Sequence, residues 1–262
     1  MTKKEASHRQ ARFRKLRGPP VRSIAVGIVC KTPIAGQSKT RLSPVLAPEE
    51  SAALSACFIR DLAATIEALT ATEDVTGYAV YTPVGSEPLL RSLLPPSFRL
   101  LAQCSGDLGA RLFGATVDLL SAGHSGAVLV SSDNPTLPLS VLRDAVHALR
   151  RSDNLVLGPA LDGGYTLVGL SQPCARVFAD IPWSTPQVYR LTLERAREIG
   201  LPVINVPHWY DVDDEYTLQL LQAELAGQRL EFAEPGLTPA EARHTRQFLA
   251  NRNARAPART FS

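Results

Sequence analysis

Between residues 23 and 151, short β-rich apolar runs alternate with stretches of helical spacing, and this alternation limits the fold more than any other feature of the chain. "SIAVGIVCK" (23–31) is apolar at both parities, as a strand covered on both faces must be. "PEESAALSACFIRDLAATIEAL" (48–69) has helical spacing, with Pro48 suited to the first helical position and Glu49 and Glu50 facing the positive end of the helix dipole. Further strands are expected at 75–81, 98–103 and 126–132, a short helix near 86–94, and longer helices over 107–123 and 139–151. Strands and helices in strict alternation call for an α/β domain with a mostly parallel central sheet and helices on both faces.

The rhythm breaks at "NLVLGPALDGGYTLVGL" (154–170), where two strand-like runs are joined by too few residues for a parallel crossover. They must pair as a hairpin or bend away from each other. Helical spacing returns at 186–200, a short strand at 201–207 and a helix at about 214–226. "LTPAEARHTRQFLANR" (237–252) carries a capping box in Thr238 and Glu241, which predicts a terminal helix followed by a frayed "NARAPARTFS". There is no internal repeat and no linker between two cores. A length of 262 residues, 45% of them hydrophobic, suits one large domain with a substantial core.

Charge is concentrated at the start. Residues 1–22 hold eight Lys or Arg against one Glu and include a Pro-Pro break; they read as a solvated, disordered arm, with contact to nucleic acid or an anionic membrane as the alternative. The arm has no apolar core of a secretory signal, and no apolar run in the sequence is long enough to span a bilayer. Cys30, Cys57, Cys104 and Cys174 are scattered without a CxxC pair, so neither a zinc site nor a disulfide framework follows. They read as small buried hydrophobes in a cytoplasmic protein.

In open α/β sheets ligands bind beyond the carboxyl ends of the strands, so the segments after each strand carry the functional signal. After the first comes "KTPIAGQSKTRLSP", a loop with Gly36 for backbone freedom and Lys31, Lys39 and Arg41 for charge. Such a loop suits polyphosphate, although it matches neither the Walker A nor the G-x-G-x-x-G spacing, and a solvated basic loop is the plain alternative. After "GAVLVSS" comes Asp133, followed by Asn134 and Pro135; Asp133 either reaches a divalent ion such as Mg²⁺ or Mn²⁺ or caps a turn. In "WYDVDDEYTLQLL" Asp211 and Asp213 fall on one side of an extended segment, while Asp213 or Asp214 can instead cap the following helix. Gly106, Asp107 and Arg111 open a helix whose amino end can accept an anion, with Asp107 as a cap the alternative. His208 reads as a structural or surface histidine.

Taken in order, "KTPIAGQSKTRLSP", "GDLGARL", "VLVSSDNPTLP", "VLGPALDGGYTLVGL", "IPWST" and "YDVDDEYTL" resemble the nucleotide-diphospho-sugar transferase superfamily, with its single Rossmann-like GT-A domain. More narrowly, the chain is similar to a bacterial group of provisionally assigned glycosyltransferases linked to arsenosugar formation. The first loop, with Lys39, Arg41, Leu42 and Pro44, also resembles that of 2-phospholactate guanylyltransferases, and "DVDD" is similar to the Asp-rich motif of small molybdenum-cofactor nucleotidyltransferases. The family pattern usually reads Ser-Asp-Cys-Pro where this chain has Ser132-Asp133-Asn134-Pro135, and the basic arm has no counterpart in it.

The resemblance implies a catalytic domain over 23–228, with the arm before it and a C-terminal extension of one helix over 229–262. It also implies a nucleotide or nucleotide-sugar donor held by Lys31, Gly36, Lys39, Arg41, Gly106 and Asp107. A Mg²⁺ or Mn²⁺ ion would sit on Asp133, Asp211 and Asp213, and Lys39, Asp133 and Asp162 would carry the chemistry. The 154–170 hairpin would lie near a small-molecule acceptor, with Gly163, Gly164, Tyr165, Trp183, Ser184 and Thr185 around it; a plain hairpin turn is the alternative for "DGGY". Nucleotidyl transfer from an NTP with release of pyrophosphate, glycosyl transfer from a nucleotide-sugar, and nucleotide sensing without catalysis remain open at this point.

Overall fold

The computed structural model of the chain describes residues 21–43 and 45–255. The basic arm as far as residue 20, Pro44 and the frayed end from residue 256 lie outside the described residues, while residues 21 and 22 of the expected arm already belong to the first strand. Seven strands form one sheet: β1 (Val21–Lys31), β2 (Val75–Thr82), β3 (Arg99–Ala102), β4 (His124–Ser131), β5 (Leu155–Pro159), β6 (Tyr165–Leu170) and β7 (Val203–Asn205). Their order across the sheet is β3-β2-β1-β4-β6-β5-β7. All pairings are parallel except those of β6, which runs antiparallel to both β4 and β5. The 154–170 stretch is therefore a hairpin, and β6 is the one reversed strand of the sheet.

Seven α-helices connect and cover these strands: α1 (Pro48–Thr70), α2 (Glu87–Arg91), α3 (Leu108–Ser121), α4 (Leu139–Arg151), α5 (Val188–Glu198), α6 (Glu215–Leu225) and α7 (Arg243–Arg255). Strand parity assigns each side chain to a face. Ile24, Val26 and Ile28 of β1 and Val128 and Val130 of β4 pack with Phe58 and Ile59 of α1 and Val141 and Val146 of α4. The alternate residues Ala25, Ala127, Leu129 and Val80 join Leu112, Phe113 and Leu119 of α3 in a second core on the other face. The apolar runs at both parities thus reflect a sheet buried between two helical layers.

The end of the chain departs from the expected capping box. The terminal helix starts at Arg243, and Thr238 and Glu241 precede it. Its first turn is capped from a distance: the buried Asp61 of α1 accepts from the amides of His244 (2.9 Å) and Thr245 (2.8 Å). The Ala240 amide meanwhile donates to Thr136 O, and Ala242 takes a left-handed φ of 46°, so the 237–242 stretch lies along the domain rather than in a helix. A carboxylate from elsewhere in the chain has outcompeted a local signal.

Candidate active site

Six parallel strands end at one edge of the sheet, and the reversed strand β6 begins there. Above that edge opens a cavity of about 620 Å³, the size of a small-ligand site. Its lining is drawn from the end of β1, the loop around Lys39, Gln103 after β3, Ser131 to Asp133 after β4, and Tyr165 to Val168 of β6.

Lys39 is the centre of the charged half. Its backbone is left-handed, with φ 51° and ψ 41°, a conformation that costs a non-glycine residue of order 1 kcal/mol and that persists only where its surroundings demand it. The side chain is 5% exposed and passes the ring of Phe58, with Nζ 5.5 Å from the ring centre. Nζ lies 2.8 Å from Asp133 Oδ1, 3.0 Å from Asp213 Oδ1 and 2.6 Å from Val212 O, one acceptor for each ammonium hydrogen. Burial works against the charged amine, but the carboxylates of Asp133 and Asp213 outweigh it and raise the Lys39 pKa. Burial likewise opposes ionisation of Asp213, and Lys39 overrides it, so that Asp213 is held below the usual carboxylate range.

Asp211 stands behind this pair. Its Oδ1 accepts from Asn134 Nδ2 at 3.2 Å, and the Val212 amide donates to Asp133 O at 2.8 Å, which joins the segments after β4 and β7. Burial first, and then the charge of Asp133, pushes the Asp211 carboxyl up to about 7. Two carboxylates, Asp133 and Asp213, thus share one buried ammonium, and a third, Asp211, lies behind them without a contact to it. The other cation within reach is the 69% exposed Arg41, whose Nη1 is 4.0 Å from Asp213 Oδ2. As they stand, no three His, Cys, Asp or Glu side chains among the described residues are spaced to hold a metal ion, because the Lys39 ammonium lies between Asp133 and Asp213.

The remaining expected residues divide between cavity and scaffold. Lys31 is exposed at the cavity and donates to Gln37 O at 3.1 Å, while Gly36 turns the same loop with φ 73°. Asp107 caps α3, its Oδ1 accepting from the Ala110 amide at 2.8 Å; beside it Gly106 has φ 118° and accepts from Arg111 Nε, and Arg111 reaches the cavity. Asp214, not Asp213, caps α6 by accepting from the Thr217 amide at 2.9 Å.

Asp162 sits at the exposed tip of the hairpin and turns inward on its own loop, with Oδ1 accepting from the Gly164 amide at 2.8 Å. It is not among the residues that line the cavity. Gly163 has φ 85°, and a Cβ there would come within 2.3 Å of Pro186 O, so the tip is fastened to the 182–186 loop by close backbone contact. Tyr165 does line the cavity, its hydroxyl buried beside that of Thr192 and its ring edge-on to Trp183 at 6.4 Å. Trp183 also lies against Gly109 in the first turn of α3, Ser184 adopts φ 63°, and the Thr185 hydroxyl donates to Pro182 O. These three hold the loop beside the cavity rather than forming its wall. His208 packs against Phe232.

Two polar residues escaped the sequence reading. Asn134 is fully buried and, beyond its bond to Asp211, leaves Oδ1 without a partner; it stood in the sequence only as a departure from the usual Cys. Gln103 lines the cavity from the end of β3, a position with no motif to mark it.

With this geometry in hand, comparison with known proteins places the fold. Residues 65–185 match the family model described as "Uncharacterized protein conserved in bacteria (DUF2064)". A solved structure from Desulfovibrio desulfuricans G20, provisionally named a nucleotide-diphospho-sugar transferase, is 27% identical with a TM-score of 0.75; the match covers 89% of this chain and 96% of that one. A CMP:2-keto-3-deoxy-manno-octonic acid synthetase complexed with CTP is 10% identical with a TM-score of 0.51, covering 78% and 99%. The 4-diphosphocytidyl-2C-methyl-D-erythritol synthase of Anaerococcus prevotii DSM 20548 is 9% identical with a TM-score of 0.50, covering 78% and 96%. At such identities the last two share the fold alone. No curated protein matches the chain, and no described helix is long and apolar enough to cross a membrane.

Proposed function

The chain has the fold of the nucleotide-diphospho-sugar transferase superfamily, and from that premise we propose that it is a transferase acting on a nucleotide-activated donor, by nucleotidyl transfer from an NTP to a small phosphorylated or acidic acceptor with release of pyrophosphate. The observation that carries this reading is the buried Lys39 ammonium gathered with Asp133, Asp211 and Asp213 at the floor of a cavity whose rim bears Arg41, Lys31 and Arg111. Cations on a rim above an acidic floor are what a polyphosphate bound with a divalent ion requires.

The donor set fits such an ion in its chemistry. Two carboxylates share one buried ammonium with a third carboxyl group behind them, all the candidate ligands are hard oxygens, and the buried Asn134 Oδ1 has no partner. Asp133 and Asp213 would hold Mg²⁺ or Mn²⁺, with Asp211 behind them. When bound, the ion supplies charge neutralisation at the phosphate oxygens. The chain's own groups do the rest: Lys39 holds Asp133 and Asp213 in place, Arg41 on the rim offsets charge on the phosphates, Asn134 orients Asp211, and the hairpin with Tyr165 walls the acceptor side. Attack by an acceptor oxygen on the α-phosphorus forms one P–O bond as the bond to the departing pyrophosphate breaks, so catalysis is positioning and electrostatics.

Glycosyl transfer is the second reading, favoured by the D. desulfuricans protein's provisional name. Incubation with each NTP, Mg²⁺ and a panel of phosphorylated and carboxylated acceptors is expected to release pyrophosphate with at least one pair. Turnover of a nucleotide-sugar with no pyrophosphate from any NTP would replace the first reading with the second.

A further inference from the structure

Gln103 follows β3, and its backbone amide continues the ladder by donating to Tyr81 O at 2.8 Å. Its side-chain nitrogen makes two more bonds: Nε2 donates to Val80 O at 2.8 Å and to Cys30 O at 3.2 Å. Both acceptors are backbone carbonyls, so only the NH₂ end of the amide can face them, and the orientation of the group is forced. Both amide hydrogens are then used. Oε1 is left on the other side as a pure acceptor, and among the described residues no donor is bonded to it. Gln103 is half-buried and lines the main cavity.

The place of Gln103 in the cavity gives this acceptor its meaning. The amide head lies over the β1–β2 pair, while Asp133 follows β4 on the far side of β1, one to two strand spacings or about 5–10 Å away. A ribose and its first phosphate bridge such a gap. The same cavity is lined by apolar side chains from the start of α3, Leu112 and the 40% exposed Leu108. An exposed leucine and a fixed polar group in one cavity suit the flat face and the hydrogen-bonding edge of a nucleobase.

We propose that Gln103 reads the base of the bound nucleotide and selects one that presents an amino group. Cytosine, adenine and guanine each offer an exocyclic NH₂ to an acceptor; uracil and hypoxanthine carry a carbonyl or nothing at the same position. Because Val80 O and Cys30 O hold the amide, Gln103 cannot flip to donate to a carbonyl; a deaminated base in the same pose meets Oε1 oxygen to oxygen or leaves it unpaired, and must shift to offer its ring N–H instead. This inference rests on the nucleotide reading above and adds a base class to it.

Binding measured by calorimetry with Mg²⁺ and no acceptor tests it, with CTP compared with UTP, and ATP and GTP each compared with ITP. The amino-bearing member of the accepted pair is expected to bind about tenfold more tightly or better. Gln103→Met is expected to abolish that difference by weakening the amino-bearing nucleotide, and a cooperative melt with a wild-type circular dichroism spectrum verifies that the variant is folded. Equal affinities within every pair for the wild-type protein, or a preference that survives Gln103→Met, overturns the base reader and leaves the nucleotide reading standing. Failure of all five triphosphates to bind overturns both.

Discussion

At the amino end of the sheet His124 lies between Ser23 Oγ, 2.8 Å from its Nδ1, and the Tyr78 hydroxyl, 2.9 Å from its Nε2. At the carboxyl end of the same strands Lys39 lies among Asp133, Asp211 and Asp213. Both are polar groups in the body of the molecule, but their accounts differ. Each nitrogen of His124 has one partner, the residue is 7% exposed, and burial holds its pKa below the ordinary imidazole value, while Arg99 Nη1 donates to the Tyr78 hydroxyl from outside, so the imidazole is neutral and its bonding is complete. The carboxyl-end cluster has more carboxylates than cations, one of them pushed up to about 7, and it faces a cavity. A polar group with its partners supplied holds a fold together, whereas an excess of one charge waiting at an opening asks for a ligand.

The comparison breaks most sharply at Asp133. Asp133→Ala is expected to lower the rate of pyrophosphate release about 10³-fold, with little change in melting temperature because Lys39 keeps Asp213 and Val212 O; wild-type turnover in this variant would remove the cluster from the mechanism. Lys39→Met leaves Asp133 and Asp213 without their ammonium. It is expected to cost about 10²-fold in rate and to melt earlier in chelator, with MgCl₂ restoring much of the lost stability, as differential scanning fluorimetry would read. His124→Ala should do the reverse: about 2–3 kcal/mol of stability is lost, by denaturant titration, as Ser23 and Tyr78 lose their partner, while turnover per folded molecule stays the same. Asp61→Ala, which uncaps α7, should cost about 2 kcal/mol and likewise spare turnover.

The two ends also differ in the sign of their pH dependence, and this gives the finest test. The Asp211 carboxyl is raised from 3.8 to about 7, so in metal-free protein its contribution to stability is present at acid pH and is lost as pH rises through about 7. His124 is lowered from 6.5, so the native state disfavours its proton and stability rises as pH climbs from the folded pKa toward 6.5. Measured in EDTA between pH 5 and 8, the stability of Asp211→Asn relative to wild type should increase with pH, and that of His124→Gln relative to wild type should decrease. Parallel curves for both variants would mean that neither group titrates as its surroundings dictate.

Much of this architecture was legible in the sequence because a sheet buried on both faces leaves nearly uninterrupted apolar runs, and β1, β4 and the β5–β6 hairpin stood out for that reason. Asp133 and the Asp211–Asp213 pair were visible as acids placed just beyond strands. What escaped was non-local. The Lys39–Asp213 contact spans 174 residues and the Asp61 cap of α7 spans 183, so no local rule could tell a phosphate-binding lysine from one already paired, or see that Thr238 and Glu241 would lose the helix start. Gln103 was invisible because glutamine after a strand has no pattern; only its two carbonyl partners give it a direction. At Asp107, Asp214 and Asp162 the sequence offered an acid, and backbone amides claimed it locally.

The reversed strand β6 has one more effect. A parallel strand reaches the cavity edge and must leave by a long return, but the β5–β6 turn spends only residues 160–164 there before re-entering the sheet. Extra residues at that turn would extend from the cavity edge of the sheet without shifting the β4–β6–β5 register, although they would have to keep the Gly163 contact with the 182–186 loop, and loop closure grows only slowly more costly with length. Under the proposed function, growing or trimming this single bend would alter the acceptor side while leaving the Lys39–Asp133–Asp213 floor in place.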